Sequence, residues 1–305
     1  MTIRSFMSSK YCKFYFLICS IAMLSETVYS RNRIPSFETT RMKSTAGAGV
    51  ASILMDEATY LNPATIAYYN QGGVLYQKAG IETTQSDSAN TEEFKSTSLI
   101  ASDAKGLLGG SLSYNSIIYQ GQEVKQFSSA FGRPIGKKSS FGVRYSHNVE
   151  ETFNAANRLE KQKFNFLNFG IAHVIDENLS LGFILEDAFN ERPGTGRVLT
   201  GLQYVYGDFV SLMFDLGTDY RQNLSNSLLW KVGTQLRVFD DFFLRFGTFR
   251  DKGKAEKGSG AGIGWLQPRL VIELAVKNLD YLENLELNQS SEQIKETSFS
   301  LSYRF

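Results

Sequence analysis

Cysteine, histidine and long apolar runs are all scarce in this 305-residue chain. Its two cysteines, Cys12 and Cys19, sit close to the N-terminus. A chain that has shed that segment has no disulfide framework and no thiolate metal site. Only His147 and His173 supply an imidazole. No excess of either charge exists: 32 basic and 31 acidic residues leave a formal net charge of +1. That excludes the basic stripe of a nucleic-acid binder, so no nucleic-acid partner is expected. After the N-terminal segment no run is long and apolar enough to cross a bilayer as a helix. Prolines number five, so long stretches are free of the residue that interrupts strand ladders. At 42% hydrophobic and 21% charged residues, the chain is too apolar to stay disordered.

What is present is aromatic and glycine-rich: 23 Phe, 15 Tyr and 26 Gly. Repeated Gly and aromatic residues over many short strands favour an all-β barrel or sandwich. The N-terminus has the layout of a secretory signal over residues 1–30. Lys10 and Lys13 precede an apolar run from Phe14 to Leu24, and Val28-Tyr29-Ser30 offers a cleavage site after Ser30. The run has eleven residues, too few to span a core about 30 Å thick. Leu17 and Ile18 precede Cys19, where a lipoprotein site wants a small residue.

From residue 71 to the end, segments of alternating polarity follow one another. The last is the clearest. Phe299, Leu301, Tyr303 and Phe305 fall on one face, with Ser298, Ser300, Ser302 and Arg304 on the other. Leu270, Ile272, Leu274 and Val276 likewise oppose Arg269, Glu273 and Lys277. Val210, Leu212, Phe214 and Leu216 oppose Ser211, Asp215 and Asp219. Trp230, Val232, Thr234 and Leu236 oppose Lys231, Gln235 and Arg237, and Phe141, Val143 and Tyr145 oppose Arg144, Ser146 and Asn148. A single such strand suits a sandwich as well as a membrane barrel. The number in succession, with no helix to cover them, favours a transmembrane antiparallel barrel whose apolar face meets lipid.

Fourteen strands are expected, near 72–83, 95–103, 106–119, 123–133, 139–149, 162–175, 178–189, 196–206, 208–219, 227–238, 241–250, 257–267, 269–280 and 295–305. Tight turns fall at Asp176-Glu177, Gly207-Asp208, Asp240-Asp241 and Gln267-Pro268. Longer polar joins are expected at 84–94, 150–161, 190–195, 220–226, 251–256 and 281–294, with a short one at 120–122. Short and long mostly alternate, as periplasmic turns and external loops do. The terminal aromatic Phe305 resembles the signal that the outer-membrane assembly machinery reads.

Residues 31–70 lack period-two alternation. Gly47-Ala48-Gly49-Val50-Ala51 is followed by Asp56-Glu57-Ala58-Thr59 and then Leu61-Asn62-Pro63-Ala64. This stretch resembles the N-terminal region of the FadL/TodX long-chain fatty-acid transporter family and its PorV-like relatives. Thr65 stands where that family has a Gly, and Glu57 replaces the second of its paired Asp residues. The resemblance implies a fourteen-stranded barrel with residues 31–70 as a hatch and 71–305 as the wall. It implies passive uptake of hydrophobic small molecules such as long-chain fatty acids, in contact with outer-membrane lipids. It casts Asn62, Pro63 and Ala64 as gating residues. The family's external binding loops are longer than the joins here. Read without the family, Asn62-Pro63 is a turn, since Pro fixes φ and Asn bonds its own backbone.

Other chemistry is sparse. A Ser-His hydrolase needs an adjacent pair, and neighbours such as Ser146 and His147 point to opposite faces of a strand. Gly132 to Ser139 is similar to a phosphate-binding loop but has one residue too few between its glycines. Gly258, Gly260, Gly262 and Gly264 strip one strand face of side chains, as where a barrel admits a plug or a ligand. Phe243 and Phe249, sharing a face with Arg245, are candidate lumen residues, as are Ile184 beside Glu186 and Ile117 beside Asn115. No metal or cofactor is expected. The alternatives to uptake are a PorV-like secretion or docking accessory and an outer-membrane lipid hydrolase.

Overall fold

The computed structural model describes residues 36–305 apart from 54, 86–87, 107, 120–121, 154–158, 193 and 283–290. The expected signal peptide lies outside the described residues. The described chain forms one closed antiparallel barrel of fourteen strands. They are β1 (Gly72–Gln85), β2 (Ser88–Asp103), β3 (Gly109–Tyr119), β4 (Gln122–Pro134), β5 (Ser139–Phe153), β6 (Leu159–Val174) and β7 (Leu179–Glu186). Then come β8 (Arg197–Tyr206), β9 (Val210–Asp219), β10 (Leu229–Phe239), β11 (Phe242–Asp251), β12 (Glu256–Leu266), β13 (Leu270–Tyr281) and β14 (Glu292–Arg304). Each strand pairs with its sequence neighbours, and β1 closes on β14 from Gly73↔Arg304 to Gln85↔Glu292. The seam ends in a reciprocal pair: the Phe305 N–H donates to the Gly72 carbonyl at 2.9 Å, and the Gly72 N–H to the Phe305 carbonyl at 3.0 Å. Closure leaves no strand edge along the seam, which a wall set in hydrocarbon requires.

The period-two reading holds. Along β14, Glu296, Ser298, Ser300 and Ser302 are buried in the interior, while Phe299, Leu301 and Tyr303 are exposed outside. Outward Leu212, Phe214 and Leu216 on β9 and Phe141 and Tyr145 on β5 continue this apolar band, which is the lipid-facing surface of a membrane barrel. No helix among the described residues is long and apolar enough to cross a membrane.

Three of the joins are corrected. Residues 84–94 are almost entirely strand, with β1 reaching Gln85 and β2 starting at Ser88. Strands β5 and β6 likewise extend through much of 150–161, and β14 starts at Glu292. These stretches lack sustained apolar alternation because, above the apolar band, neither strand face needs hydrocarbon. The barrel rim is therefore uneven: β2 and β6 have 16 residues, β7 only eight. The turns at 175–178, 207–209, 240–241 and 267–269 are short and share the barrel end of Phe305, and short turns are the periplasmic ones in outer-membrane barrels. Within the stretch from Gly132 to Ser139, residues 135–138 form another short turn at this end, joining β4 to β5.

Residues 36–71 fold inside the barrel. A short helix, α1 (Thr40–Ser44), starts where the Thr39 hydroxyl accepts the Met42 N–H at 3.1 Å. It stops in a reversal through Ala46 (φ 52°) and Gly47 (φ 77°), where the Gly47 N–H returns to the Met42 carbonyl at 2.7 Å. A 3-10 helix spans Pro63–Tyr68. Helix α1 packs on β11–β14 and the 3-10 helix on β3–β6. A further helical turn, α2 (Leu224–Ser227), lies in the external join before β10.

Candidate functional site: the hatch and the lumen it closes

Glycine makes room for the hatch. Around the inner wall, glycines face one another across successive strand pairs: Gly109↔Gly132, Gly132↔Gly142 and Gly142↔Gly170 on β3–β6. The stripe continues as Gly182↔Gly201 on β7–β8, then Gly233↔Gly247 and Gly247↔Gly260 on β10–β12. The hatch main chain lies where side chains would otherwise be. A Cβ on Gly142 would overlap the Pro63 carbonyl, one on Gly247 the Thr45 carbonyl, and one on Gly260 the Lys43 carbonyl. On Gly132 it would sit 2.5 Å from Ile66 Cγ2. The alternating glycines of β12 are part of this stripe: Gly260 and Gly262 touch Lys43 and Ser44.

Where the wall carries side chains, it holds the hatch by polar contacts. Asp215 on β9 accepts the Gly49 N–H at 2.8 Å and the Val50 N–H at 3.1 Å. Gln77 on β1 accepts the Thr40 N–H at 2.6 Å and donates to the Glu38 carbonyl at 2.8 Å. Lys277 on β13 pairs with Glu38 at 2.6 Å, and Lys43 pairs with Glu296 on β14. Arg304 reaches Asp56 at 3.7 Å. Glu57 is buried and accepts the Thr39 hydroxyl at 2.9 Å. Burial pushes the carboxyls of Asp56 and Glu57 above the ordinary range, despite Arg304 beside the first and Arg41 near the second. Burial would raise Glu38 too, but Lys277, Lys43 and Lys231 outweigh it and hold that group low.

Asn62, Pro63 and Ala64 sit at the centre of this assembly, all buried. The Asn62 side chain ties three parts together. Its amide nitrogen donates to the Val50 carbonyl at 2.9 Å, within the hatch, and to the Ile171 carbonyl at 3.0 Å, on β6. Its oxygen accepts the Ala64 N–H at 3.1 Å and so starts the 3-10 helix. Pro63 then occupies the first helical position, where a missing N–H costs nothing.

Hatch and wall share an apolar core that draws on β1, β2, β7, β8, β10, β11, β13 and β14. Ile184, Leu199, Leu229, Phe249, Leu279 and Ile294 from the wall join Met42, Ala46 and Val50 from the hatch in one apolar cluster. Ile184 and Phe249 are thus brought together. Ile117 is buried on the inner face of β3 outside that cluster. Phe243 is half-buried lower on β11, where the Arg237 guanidinium lies 5.9 Å from its ring centre.

The inner wall also carries polar residues. One rung of paired residues runs from Gln77 through Ser98, Asn115, Gln126 and Asn148 to Phe164. Strand tilt makes such a rung climb as it passes round the barrel. Gln77 is the sixth residue of β1 from the periplasmic end, and Phe164 the eleventh of β6. Phe164 and Phe166 were not singled out in the sequence. Their signal is parity: both share the inner face of β6 with Asn168 and Gly170.

His147 and Ser146 do point to opposite faces; His147 bonds Asn165 at 2.8 Å. A different pair forms, Ser139 Oγ with His173 Nδ1 at 2.7 Å across β5–β6. It could not be read from sequence because register alone joins the two. No acid or amide bonds the other nitrogen of His173 among the described residues, so the arrangement lacks the orienting third group of a triad. No group of residues suited to a metal ion occurs among the described residues.

A closed, lipid-faced barrel occluded by its own N-terminal segment is the architecture of a hatch-bearing outer-membrane protein. Solved structures share it. The chain superposes on the CymD monoaromatic hydrocarbon channel with a TM-score of 0.69 at 11% identity, over 88% of this chain and 97% of that one. It matches the Ralstonia pickettii toluene transporter TbuX with a TM-score of 0.65 at 8% identity, over 88% and 98% of the two chains. The Pseudomonas putida toluene transporter TodX follows at 0.60 and 10%, over 88% and 98%. No protein-family model and no curated protein matches the sequence. The likeness is one of fold, that of FadL-type barrels of the bacterial outer membrane.

Proposed function

We propose that this protein is a passive outer-membrane carrier for hydrophobic small molecules and not an enzyme. A molecule enters from outside, settles against the apolar core between hatch and wall, and leaves to the periplasm when the hatch shifts. The observation that carries this reading is the apolar cluster itself, in which Met42, Ala46 and Val50 of the hatch meet Ile184, Leu199 and Phe249 of the wall. Water-filled barrels have polar interiors, and an apolar interior with a few polar groups suits a hydrophobic ligand. Within that class the sequence resemblance points to long-chain fatty acids, and the names of the fold neighbours point to aromatic hydrocarbons. In this reading Asn62, Pro63 and Ala64 set the hatch, and Phe249 and Ile184 touch the cargo, with Ile117 and Phe243 further along the wall. Residues 1–30 are the export signal, lipids surround the apolar band, and the strand ending at Phe305 is read by the assembly machinery.

The test is uptake of ethylbenzene and of palmitate into proteoliposomes by the wild type and by Asn62→Ala. Losing the bonds to Val50 and Ile171 frees the hatch, so the variant should transport faster. Wild-type proteoliposomes that admit neither compound faster than protein-free vesicles would sink the carrier reading.

A further inference from the structure

We infer that the upper wall at β5–β6 is a binding site for an uncharged aromatic molecule bearing a hydrogen-bond-accepting oxygen, with Asn148 as its donor. This deepens the uptake reading and rests on it. The first ground is directional. The Tyr60 hydroxyl donates to Asn115 Oδ1 at 2.5 Å, Asn115 Nδ2 donates to Gln126 Oε1 at 3.1 Å, and Gln126 Nε2 donates to Asn148 Oδ1 at 3.0 Å. Every donor points the same way, from the hatch outward. The Asn148 oxygen is therefore used, which fixes the orientation of its amide. The chain ends on Asn148 Nδ2, which has no acceptor among the described residues although the side chain is more than nine-tenths buried. The residue is buried but this atom stays accessible on the inner wall, so the end of the polarised chain offers its N–H to an acceptor in the lumen.

The second ground is what surrounds it. Asn148 faces Phe164 across the β5–β6 pair, and Ser146 faces Phe166. The two rings lie 6.2 Å apart between centres with 16° between their planes, giving the donor an aromatic floor. The third ground is charge. Glu150, two residues along the same inner face, pairs with Arg192 at 2.7 Å, and the Arg192 guanidinium lies 5.3 Å from the Phe164 ring centre. The cation beside the Phe164 ring is thus already neutralised. A carboxylate ligand would have to take Arg192 from Glu150 and then sit beside the bare Glu150 anion. A neutral carbonyl or ether oxygen meets no such cost.

The experiment is equilibrium dialysis of the full chain in detergent, referenced to protein-free detergent, with acetophenone, its hydrocarbon counterpart ethylbenzene, and benzoate. Wild type should hold acetophenone about five- to tenfold more tightly than ethylbenzene, the worth of one neutral hydrogen bond, and benzoate least. Asn148→Leu should erase that preference. Phe164→Ala should weaken both acetophenone and ethylbenzene. Intact folding is checked by the mobility of unheated protein on a gel, and Asn148→Ala, which also lacks a donor, serves as the second variant if Leu fails to fold. An unchanged acetophenone preference in Asn148→Leu, or a wild-type preference for benzoate, overturns the site. If ethylbenzene still enters proteoliposomes when either result is obtained, the carrier reading survives it.

Discussion

At the scale of single residues, the wall glycines matter for what they lack. Gly142 pairs with Gly132 and Gly170 on the strands beside it, and the Pro63 carbonyl fills the space its Cβ would take. Gly142→Val should therefore expel the hatch without opening the barrel, because valine suits a strand and no ladder bond is lost. Forcing the hatch to stay would cost about 1–3 kcal/mol of overpacking. Gly80→Val is the matched control, since Gly80 has nothing within 4 Å of its Cβ position and faces outward. Limited proteolysis should cut within residues 40–67 of the first variant only, with both barrels keeping their unheated gel mobility. Equal protection of the two would show that the stripe does not seat the hatch.

At the scale of elements, strands were legible from their period, and the hatch only from its motif and its lack of one. Lipid outside and polar side chains inside impose opposite demands on alternate residues, so β9, β13 and β14 announce themselves in sequence. Strand β2 was placed too late, because Ser88 to Lys95 offers no apolar alternation above the lipid band. Helix α1 showed no period at all. It lies inside the barrel against β11–β14, so its residues answer to polar partners such as Gln77 and Glu296, which only register brings near. Asn62-Pro63 was readable as a turn because its cause is local, but its bond to Ile171 crosses to β6. The two anchors should be separable. Asp215→Leu removes acceptors from the Gly49 and Val50 N–H groups, each worth about 1.5–3 kcal/mol when the acceptor is charged. Amide exchange should rise by orders of magnitude at residues 49–52 and stay low in α1, which Gln77 and the Lys277–Glu38 pair hold independently. Uniform loosening of the whole hatch would mean instead that it moves as one rigid body.

At the scale of the whole molecule, hatch docking is coupled to protons. Glu57 is buried and Asp56 half-buried while the hatch is in place, and desolvation raises both carboxyls above their ordinary values. The docked state then binds more protons than the released state at any pH between the ordinary carboxylate range and those raised values. Docking must strengthen as pH falls through that window, by up to about 1.4 kcal/mol per unit for each group. Below the ordinary range both states are protonated and nothing more is gained. The Lys277–Glu38 pair does not oppose this trend within the window, because its lysine neighbours keep Glu38 ionised there. Exchange protection of residues 40–67, corrected for intrinsic rates, should therefore increase on acidification toward the ordinary carboxylate range. Glu57→Gln, which is neutral at every pH, should flatten the slope and leave the hatch better docked at neutral pH. Protection that falls on acidification, or a slope that Glu57→Gln leaves intact, would place the proton-sensitive step elsewhere in the barrel.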